Sequence, residues 1–209
     1  MKIYDVSLPI KNNMLVWPGD PAVSIKQISS VEKQGVGKSE FFFSGHTGTH
    51  VDAPNHFVEN GAGIDKIRLE KLYGACEVLD LTKIKHKEII PSDLKTANIG
   101  KGSRILFKTG NYKYLFGSKF PKSYVSLSKE GAEYLVKKKI YMVGTDFLGI
   151  EKRKNPGHPV HKTLLKNGIV NVEGLDLSNV PAGKYIIACM PLRVVDADGS
   201  PARVFLIKE

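Results

Sequence analysis

The sequence has few cysteines and no long apolar runs. Its two cysteines, Cys76 and Cys189, both lie in apolar stretches, which predicts buried free thiols and a reducing compartment. No run approaches the roughly 18 apolar residues of a membrane-spanning helix. The first residues, MKIYDVSLPIKNN, lack the apolar core of a signal peptide. We therefore expect a cytoplasmic protein with no membrane partner.

Arginine is also scarce, although the chain is strongly basic. The formal net charge of +10 comes from 26 lysines and 5 arginines against 21 acidic residues. Surfaces that bind nucleic acids are typically rich in arginine, with recognition motifs among the cations, and no such motif is evident. The lysine clusters at 83–87, 137–139 and 152–154 instead predict a solvated surface that can attract anionic ligands. We expect no nucleic-acid partner.

Short segments of β-type composition dominate the chain. A length of 209 residues with 42% hydrophobic content predicts a single globular domain over residues 1–209. Segments bounded by Gly, Pro, Asn or Asp predict strands, at 2–9, 22–29, 39–44, 73–81, 103–109, 140–145, 169–173, 185–190 and 202–207. Helices are predicted at 91–97, 128–138 and 160–167, with Ser128 as a cap and Gly168 as a stop. Because strands outnumber helices and do not alternate regularly with them, we predict a β-rich mixed α/β domain.

Half of the six histidines lie in one segment, FFFSGHTGTHVDAPNHF, at residues 41–57. His46, His50, Asp52 and His56 all occupy even positions, so an extended chain places them on one face. A straight strand would hold residues 46 and 50 about 13 Å apart. Gly48 permits a bend that brings them together, so the pattern predicts a segment folded around a point.

Imidazole and carboxylate groups are ligands that suit Zn²⁺, and also Mn²⁺ or Fe²⁺. The alternative, hydrogen-bonded core or surface histidines, suits a lone histidine better than this cluster. Further ligands are predicted at His161, in the first turn of helix 160–167, and at Glu173, whose carboxylate in an apolar run needs a partner. His158 and His86 are predicted to lie on the surface.

The segment HTGTHVDAPNH resembles the H-x-G-T-H-x-D-x-P-x-H signature of the cyclase-like metal hydrolases. This family includes bacterial kynurenine formamidases, isatin hydrolases and proteins named as polyketide cyclases. VWPGDP at 16–21, VGTDFLGIE at 143–151 and the block that begins at His161 are also similar to family segments. The loop 111–122 is less constrained.

The resemblance implies a swivelling β/β/α fold and a homo-oligomer (a dimer or tetramer). It also implies two divalent metal ions, with zinc as the expected metal and manganese as the alternative. It implies that three residues bind the first ion, that one of these also reaches the second ion, and that a glutamate bridges both. By motif position the ligands are His46, His50 and Asp52, then His161 with Asp52, and the bridging Glu173. His56 would be the catalytic acid/base, and Trp17 would line the substrate pocket.

These expectations predict an enzyme that hydrolyses a non-peptide amide in a small-molecule substrate. The first choice is the formyl group of N-formylkynurenine or a similar aryl formamide, cleaved by a hydroxide that two metals activate, with His56 moving the proton. The alternatives are another cyclic or acyclic amide or a lactone, or a non-catalytic metal-binding protein. A serine hydrolase is disfavoured, since Ser44 lacks a G-x-S-x-G elbow.

Overall fold

The computed structural model describes residues 1–95 and 97–208 of the chain. The strands in these residues are β1 Lys2–Asp5, β2 Ser24–Ser29, β3 Lys38–Phe42, β4 His50–Asp52, β5 Tyr73–Asp80, β6 Glu88–Ile89, β7 Arg104–Lys108, β8 Ser126–Leu127, β9 Met142–Thr145, β10 Val170–Glu173, β11 Gly183–Pro191 and β12 Gly199–Lys208. The α-helices are α1 Val31–Gln34, α2 Leu69–Leu72, α3 Pro91–Leu94, α4 Lys129–Lys137 and α5 Pro159–Lys166. Single 3₁₀ turns lie at Pro54–His56, Ile64–Lys66 and Asn111–Tyr114.

One sheet closes on itself into a barrel. Its strand order is β1-β12-β11-β5-β7-β9-β10-β4, and β12 pairs with β4 as well. Strands β5, β7, β9 and β10 run parallel to one another, and the remaining neighbours in this sheet are antiparallel. The short strand β4 therefore lies between β10 and the start of β12, and it completes the barrel.

Successive side chains along the strands point alternately into two separate hydrophobic cores. On β7, Leu106 contributes to the core inside the barrel, whereas Ile105 and Phe107 contribute to a second core beneath the helices. Helix α4 adds Leu135 to the second core, and α5 adds Leu164. This period of two is what a strand with both faces covered requires.

A third, aromatic cluster joins the N-terminal loop to the segment after β7. Tyr124 and Phe147 are buried in it, and Trp17 and Phe120 pack against it while remaining partly exposed. The Trp17 and Phe120 ring centroids lie 5.0 Å apart in an edge-to-face arrangement. Such pairs add about 0.5–1.5 kcal/mol beyond the area they bury. This cluster holds Trp17 in place at one wall of the candidate site.

The predicted β-rich mixed α/β fold is confirmed, since the barrel supplies two β layers and α4 with α5 covers one side of it. Each predicted strand overlaps an observed one, and the caps at Ser128 and Gly168 are present. Helix α3 ends at Leu94, so the predicted helix 91–97 was too long. The strands β4, β6 and β8 were not predicted as strands, because each has only two or three residues.

Both cysteines are buried and unpaired, as predicted. Within residues 1–95 and 97–208, no helix combines the length and the apolar character needed to cross a bilayer.

Candidate active site

The histidine segment bends at Gly48, as the spacing predicted. Gly48 has a φ of +66°, in the left-handed region that favours glycine. Before the bend, the backbone N–H of His46 donates to Ser44 Oγ at 3.1 Å. After it, His50 and Asp52 share one face of β4, and the 3₁₀ turn Pro54–His56 carries the chain back across the site.

The pairing of β4 with β10 brings the carboxylates together. In this register His50 lies opposite Glu173, and Asp52 lies opposite Asn171. The amide nitrogen of Asn171 donates to Asp52 Oδ2 at 2.7 Å and to Glu173 Oε1 at 2.8 Å. His50 Nε2 lies 3.5 Å from Asp52 Oδ1 and 3.6 Å from Glu173 Oε2. Two buried carboxylates thus face one imidazole, while Nδ1 of the same ring lies 3.0 Å from the Gly48 carbonyl oxygen.

Helix α5 adds His161 from the other side. Pro159 opens this helix at its first turn, where a missing N–H does no harm. His161 Nε2 lies 3.2 Å from Glu173 Oε1 and 3.9 Å from Asp52 Oδ2. Its Nδ1 lies 2.6 Å from Oε2 of Glu151, a buried residue of the loop between β9 and α5.

A second pair of histidines stacks at the mouth of this cluster. The rings of His46 and His56 are stacked with centroids 3.9 Å apart. His46 Nδ1 lies 3.0 Å from Asp52 Oδ1, and His46 Nε2 lies 3.1 Å from Asp198 Oδ2. The same Asp198 oxygen lies 3.5 Å from His56 Nδ1. Asp198, immediately before β12, therefore orients both rings.

The side chains in the site hold one another in their charged forms. Burial opposes charge on His46, but hydrogen bonds and charges from Asp52 and Asp198 outweigh it and raise the pKa of His46 to about 9. Burial likewise opposes charge on His161, yet Glu151 and Glu173 raise its pKa to about 10.

The carboxylates respond in the opposite direction. Burial raises the pKa of Asp52, but His46 and His50 hold that pKa well below its usual value. Burial and the charge of Asp52 push the pKa of Glu173 upward, whereas His161 brings it below its usual value. A buried carboxylate stays ionised only beside compensating positive charge, so this cluster is built to face cations.

The pKa of His56 shifts in the opposite direction from the pKa values of His46 and His161. Burial lowers its pKa below the usual value, against the opposing charge of Asp52. A neutral ring at neutral pH can accept a proton, as a general base must.

The chemistry of the donor set fits metal ions. Ligand atoms of Asp52, His161 and Glu173 lie within 4.8 Å of one another, and so do those of His46, Asp52 and His56. Metal-binding histidines usually have their second ring nitrogen fixed by a carboxylate or a carbonyl group. Here Glu151 does so for His161 and the Gly48 carbonyl does so for His50. The residues present therefore suit divalent cations, with Asp52 common to both sets.

An open cavity connects this cluster to the surface. Five predicted site residues line it from the N-terminal half of the chain, namely Trp17, His46, His50, Asp52 and His56, and Phe57 lines it beside them. His161 and Glu173 line it as well, so the structure brings all seven predicted site residues to one cavity. Their individual roles remain predictions.

Three functional candidates were missed, and one residue predicted to lie on the surface also lines the cavity. Glu151, Asn171 and Asp198 contact the predicted ligands but were not singled out from the sequence. Glu151 follows the apolar run FLGI, so a buried carboxylate that needs a partner could have been predicted there as it was at Glu173. His158 is exposed as predicted, yet it lines the cavity, and its Nδ1 lies 3.9 Å from Glu151 Oε2.

Comparisons with known proteins identify the family of the chain. The model of the "Putative cyclase" family matches residues 4–152. Cyclase-like protein 2 of Arabidopsis thaliana is 36% identical over 99% of this chain and 79% of its own length. A kynurenine formamidase of Salinibacter ruber is 31% identical over 99% of this chain and 97% of its own length. A solved structure of a predicted metal-dependent hydrolase from Bacillus stearothermophilus is 40% identical, covers 98% of this chain and 97% of its own, and superposes with a TM-score of 0.85.

The fold and the histidine–carboxylate cluster define a metal-dependent hydrolase, and the chain belongs to the cyclase family. The predicted family is thereby confirmed.

Proposed function

We propose that this protein hydrolyses a non-peptide amide, and that its substrate is an aryl formamide of the N-formylkynurenine type. One observation carries the proposal: the cavity that holds the buried histidine–carboxylate cluster also has aromatic walls, with Trp17 on one side and Phe57 on another. The likeness to a kynurenine formamidase along nearly the whole chain supports the same substrate class.

Two metal sites that share Asp52 would hold divalent ions, with zinc as the expected metal and manganese as the alternative at both sites. His46 and His50 would complete the first site, and His161 with the bridging Glu173 would complete the second. When bound, such ions polarise a carbonyl group and lower the pKa of water. Histidine ligands must be deprotonated, so binding at His46 and His161, whose pKa values are raised, should release protons into solution.

His56 would move the proton. It lies at the cavity, and its side chain is 27% exposed, so it can reach a substrate as well as the cluster. It would accept a proton from the attacking water and then donate one to the leaving nitrogen. Water adds to the formyl carbon, the carbon–nitrogen bond breaks, and the products are formate and an arylamine. Asp198 would keep the His56 ring turned towards the cavity.

The aromatic walls would orient the ring of the substrate. The Trp17 indole lies across Gly149, where an added Cβ would be 2.5 Å from Trp17 Cζ3. The absence of a side chain at position 149 therefore lets the indole approach the backbone closely. The phenyl ring of Phe57 stacks on His161 with centroids 4.3 Å apart, and so lies next to the cluster.

A substrate panel tests the proposal. Metal-free protein is reloaded with Zn²⁺ or Mn²⁺ and assayed on N-formylkynurenine, formanilide, a small aliphatic formamide, isatin and a simple lactone. We expect hydrolysis of the aryl formamides, no activity after chelation, and recovery on reloading. Hydrolysis of isatin or the lactone with no turnover of any aryl formamide would replace the formamidase assignment with the broader one.

We also propose that the protein forms a homo-oligomer, a dimer or a tetramer. The hairpin of β2 and β3 supports this proposal, because Ile28, Phe41 and Phe42 on it are 58%, 62% and 62% exposed. Large apolar side chains that stay exposed on one hairpin are available for an interface with another copy of the chain. Light scattering of the purified protein gives the subunit number, and a monomer at micromolar concentration would refute the proposal.

A further inference from the structure

Three consecutive cations lie at the mouth of the active-site cavity. Lys152, Arg153 and Lys154 all line it, and all three are exposed. Lys152 and Arg153 also line an adjacent basic cavity that includes Lys87 and Lys122. The positive charge at this mouth is therefore concentrated along a single short segment.

These cations have no acidic partner in the part of the chain that the structure describes. Among residues 1–95 and 97–208, the charged groups of Lys152, Arg153 and Lys154 form no ion pair and donate no hydrogen bond to another residue. Arg203 differs, since its guanidinium pairs with the carboxylate of Asp5. The buried carboxylates Asp52 and Glu173 contact the histidines and Asn171 of the site instead of these cations.

The segment is fixed relative to the catalytic cluster at both ends. Glu151 accepts hydrogen bonds from Asn155 Nδ2 at 2.6 Å and from the backbone N–H of Val160 at 3.1 Å. It also holds His161, the predicted metal ligand. Because one buried carboxylate closes the 151–160 loop, the cations in that loop keep a defined position beside the site.

Arg153 continues the aromatic wall outward. Its guanidinium carbon lies 5.4 Å from the centroid of Phe120, and the Phe120 centroid lies 5.0 Å from that of Trp17. Trp17 and Arg153 line the same cavity, so a substituent of an aromatic substrate ring packed against Trp17 can approach Arg153. A guanidinium group is suited to binding a carboxylate through two parallel hydrogen bonds.

We propose that Arg153, assisted by Lys152 and Lys154, binds a carboxylate that the substrate carries on a ring substituent directed away from the scissile amide. The inference rests on the proposed function, since it assigns the specificity of the same cavity. It makes Arg153 a specificity-determining residue that does not touch the reacting atoms.

Matched aryl formamides test the proposal. The substrates are 3- and 4-formamidobenzoate, the corresponding uncharged formamidobenzamides, and formanilide. We expect kcat/KM for the better carboxylate to exceed that of its benzamide about three- to tenfold, mainly through KM, because an ion pair at a partly exposed site is modest in strength. The preference should shrink as salt is raised from about 0.01 M to 0.5 M, since salt screens exposed charges.

Three variants with the same change in net charge separate a local effect from a global one. Arg153→Gln should remove most of the carboxylate preference, and Lys152→Gln should reduce it less. Lys137→Gln, at an exposed position on α4, should keep the preference of the parent protein. An equal loss in Arg153→Gln and Lys137→Gln would overturn the proposal.

Product binding gives a readout that does not depend on turnover. Calorimetry of the metal-loaded protein should show tighter binding of aminobenzoate than of aminobenzamide, and Arg153→Gln should weaken only the former. A preference that survives in Arg153→Gln would assign the carboxylate to the metals and overturn the inference.

If the benzamides, the benzoates and formanilide are hydrolysed equally well, the inference fails while the proposed function stands. If none of them is hydrolysed, the formamidase assignment fails first.

Discussion

Glu151 and His161 are joined by a contact of 2.6 Å between Oε2 and Nδ1, and this contact leaves Nε2 of His161 facing Glu173 at 3.2 Å. The order carboxylate–imidazole–carboxylate explains how His161, a predicted ligand on helix α5, is directed towards strand β10. The partner of a metal-binding histidine fixes its ring orientation and increases its basicity. Glu151 is therefore a positioning residue for the site.

Replacing Glu151 should weaken metal binding without unfolding the protein. Glu151→Gln keeps the shape of the side chain but removes its charge, and we expect the affinity for Zn²⁺ to fall about 10–100-fold. Competition with a chromogenic chelator measures this affinity. Glu130→Gln, at an exposed position on α4, is the matched control and should bind as the parent does. An unchanged affinity in Glu151→Gln would show that His161 needs no such support.

His56 is the residue for which acid/base and ligand roles must be separated. Its ring nitrogen lies within 4.8 Å of ligand atoms of His46 and Asp52, so geometry alone permits either role. We expect His56→Ala to keep its metal while kcat falls about 10²–10⁴-fold, as loss of a general acid/base should produce. Elemental analysis and turnover are measured on the same samples. If the metal content drops together with the activity, His56 is a ligand.

The core of the site was predictable because it is local in sequence. The even spacing of His46, His50, Asp52 and His56, together with a glycine able to bend the chain, indicated that these side chains converge. Glu173 was predictable for another reason, since a carboxylate in an apolar strand requires a partner. The first prediction follows from the two-residue period of a strand. The second follows from the energetic cost of burying a charge.

Asp198 and Asn171 were beyond such arguments. Asp198 occurs in DADGSP, a sequence typical of a surface turn, and it reaches His46 only because β12 pairs with β4. Asn171 faces Asp52 through the register between β10 and β4. A three-residue strand has too weak a pattern to predict its neighbours, so contacts that depend on its pairing appear only in the folded chain.

Asp146 should make stability depend on pH. It is fully buried at the end of β9, where Thr109 Oγ1 donates to it at 2.5 Å and the backbone N–H groups of Thr109 and Gly110 donate at 2.9 Å. Burial outweighs these hydrogen bonds and raises the pKa of Asp146 to about 6, from 3.8. Between these two values the folded protein holds a proton that the unfolded chain has lost, so this contribution is fully present below about pH 4 and is lost as the pH rises through 6.

Comparing the free energy of unfolding of the parent protein with that of Asp146→Asn isolates the contribution of Asp146. Asn at position 146 mimics the protonated carboxyl group, so the free energy of unfolding of the parent should fall by about 2–3 kcal/mol relative to Asp146→Asn between pH 4 and pH 7. Urea unfolding of the metal-free proteins at several pH values measures it. Glu130→Gln should show no such trend relative to the parent. A difference that is constant across this range would mean that Asp146 is ionised throughout.

Trp17 should determine how well an aromatic substrate binds. Its indole lines the cavity and is held by Phe120 at 5.0 Å and Tyr124 at 6.5 Å between centroids. Stacking of an aryl ring contributes about 0.5–1.5 kcal/mol beyond area burial, so Trp17→Ala should raise KM for formanilide about two- to tenfold. KM for a small aliphatic formamide should change less, and Trp17→Phe should restore part of the difference.

Gly149→Ala tests the same wall without removing the indole. The new Cβ would lie 2.5 Å from Trp17 Cζ3, so the indole must move. We expect this variant to keep its metal content and fold, to show altered tryptophan fluorescence, and to lose aryl selectivity in the same direction as Trp17→Ala. The chain has a single tryptophan, so the fluorescence reports on this position alone. Equal changes in KM for aryl and aliphatic substrates in both variants would remove Trp17 from the binding site and leave it as a packing residue of the aromatic cluster.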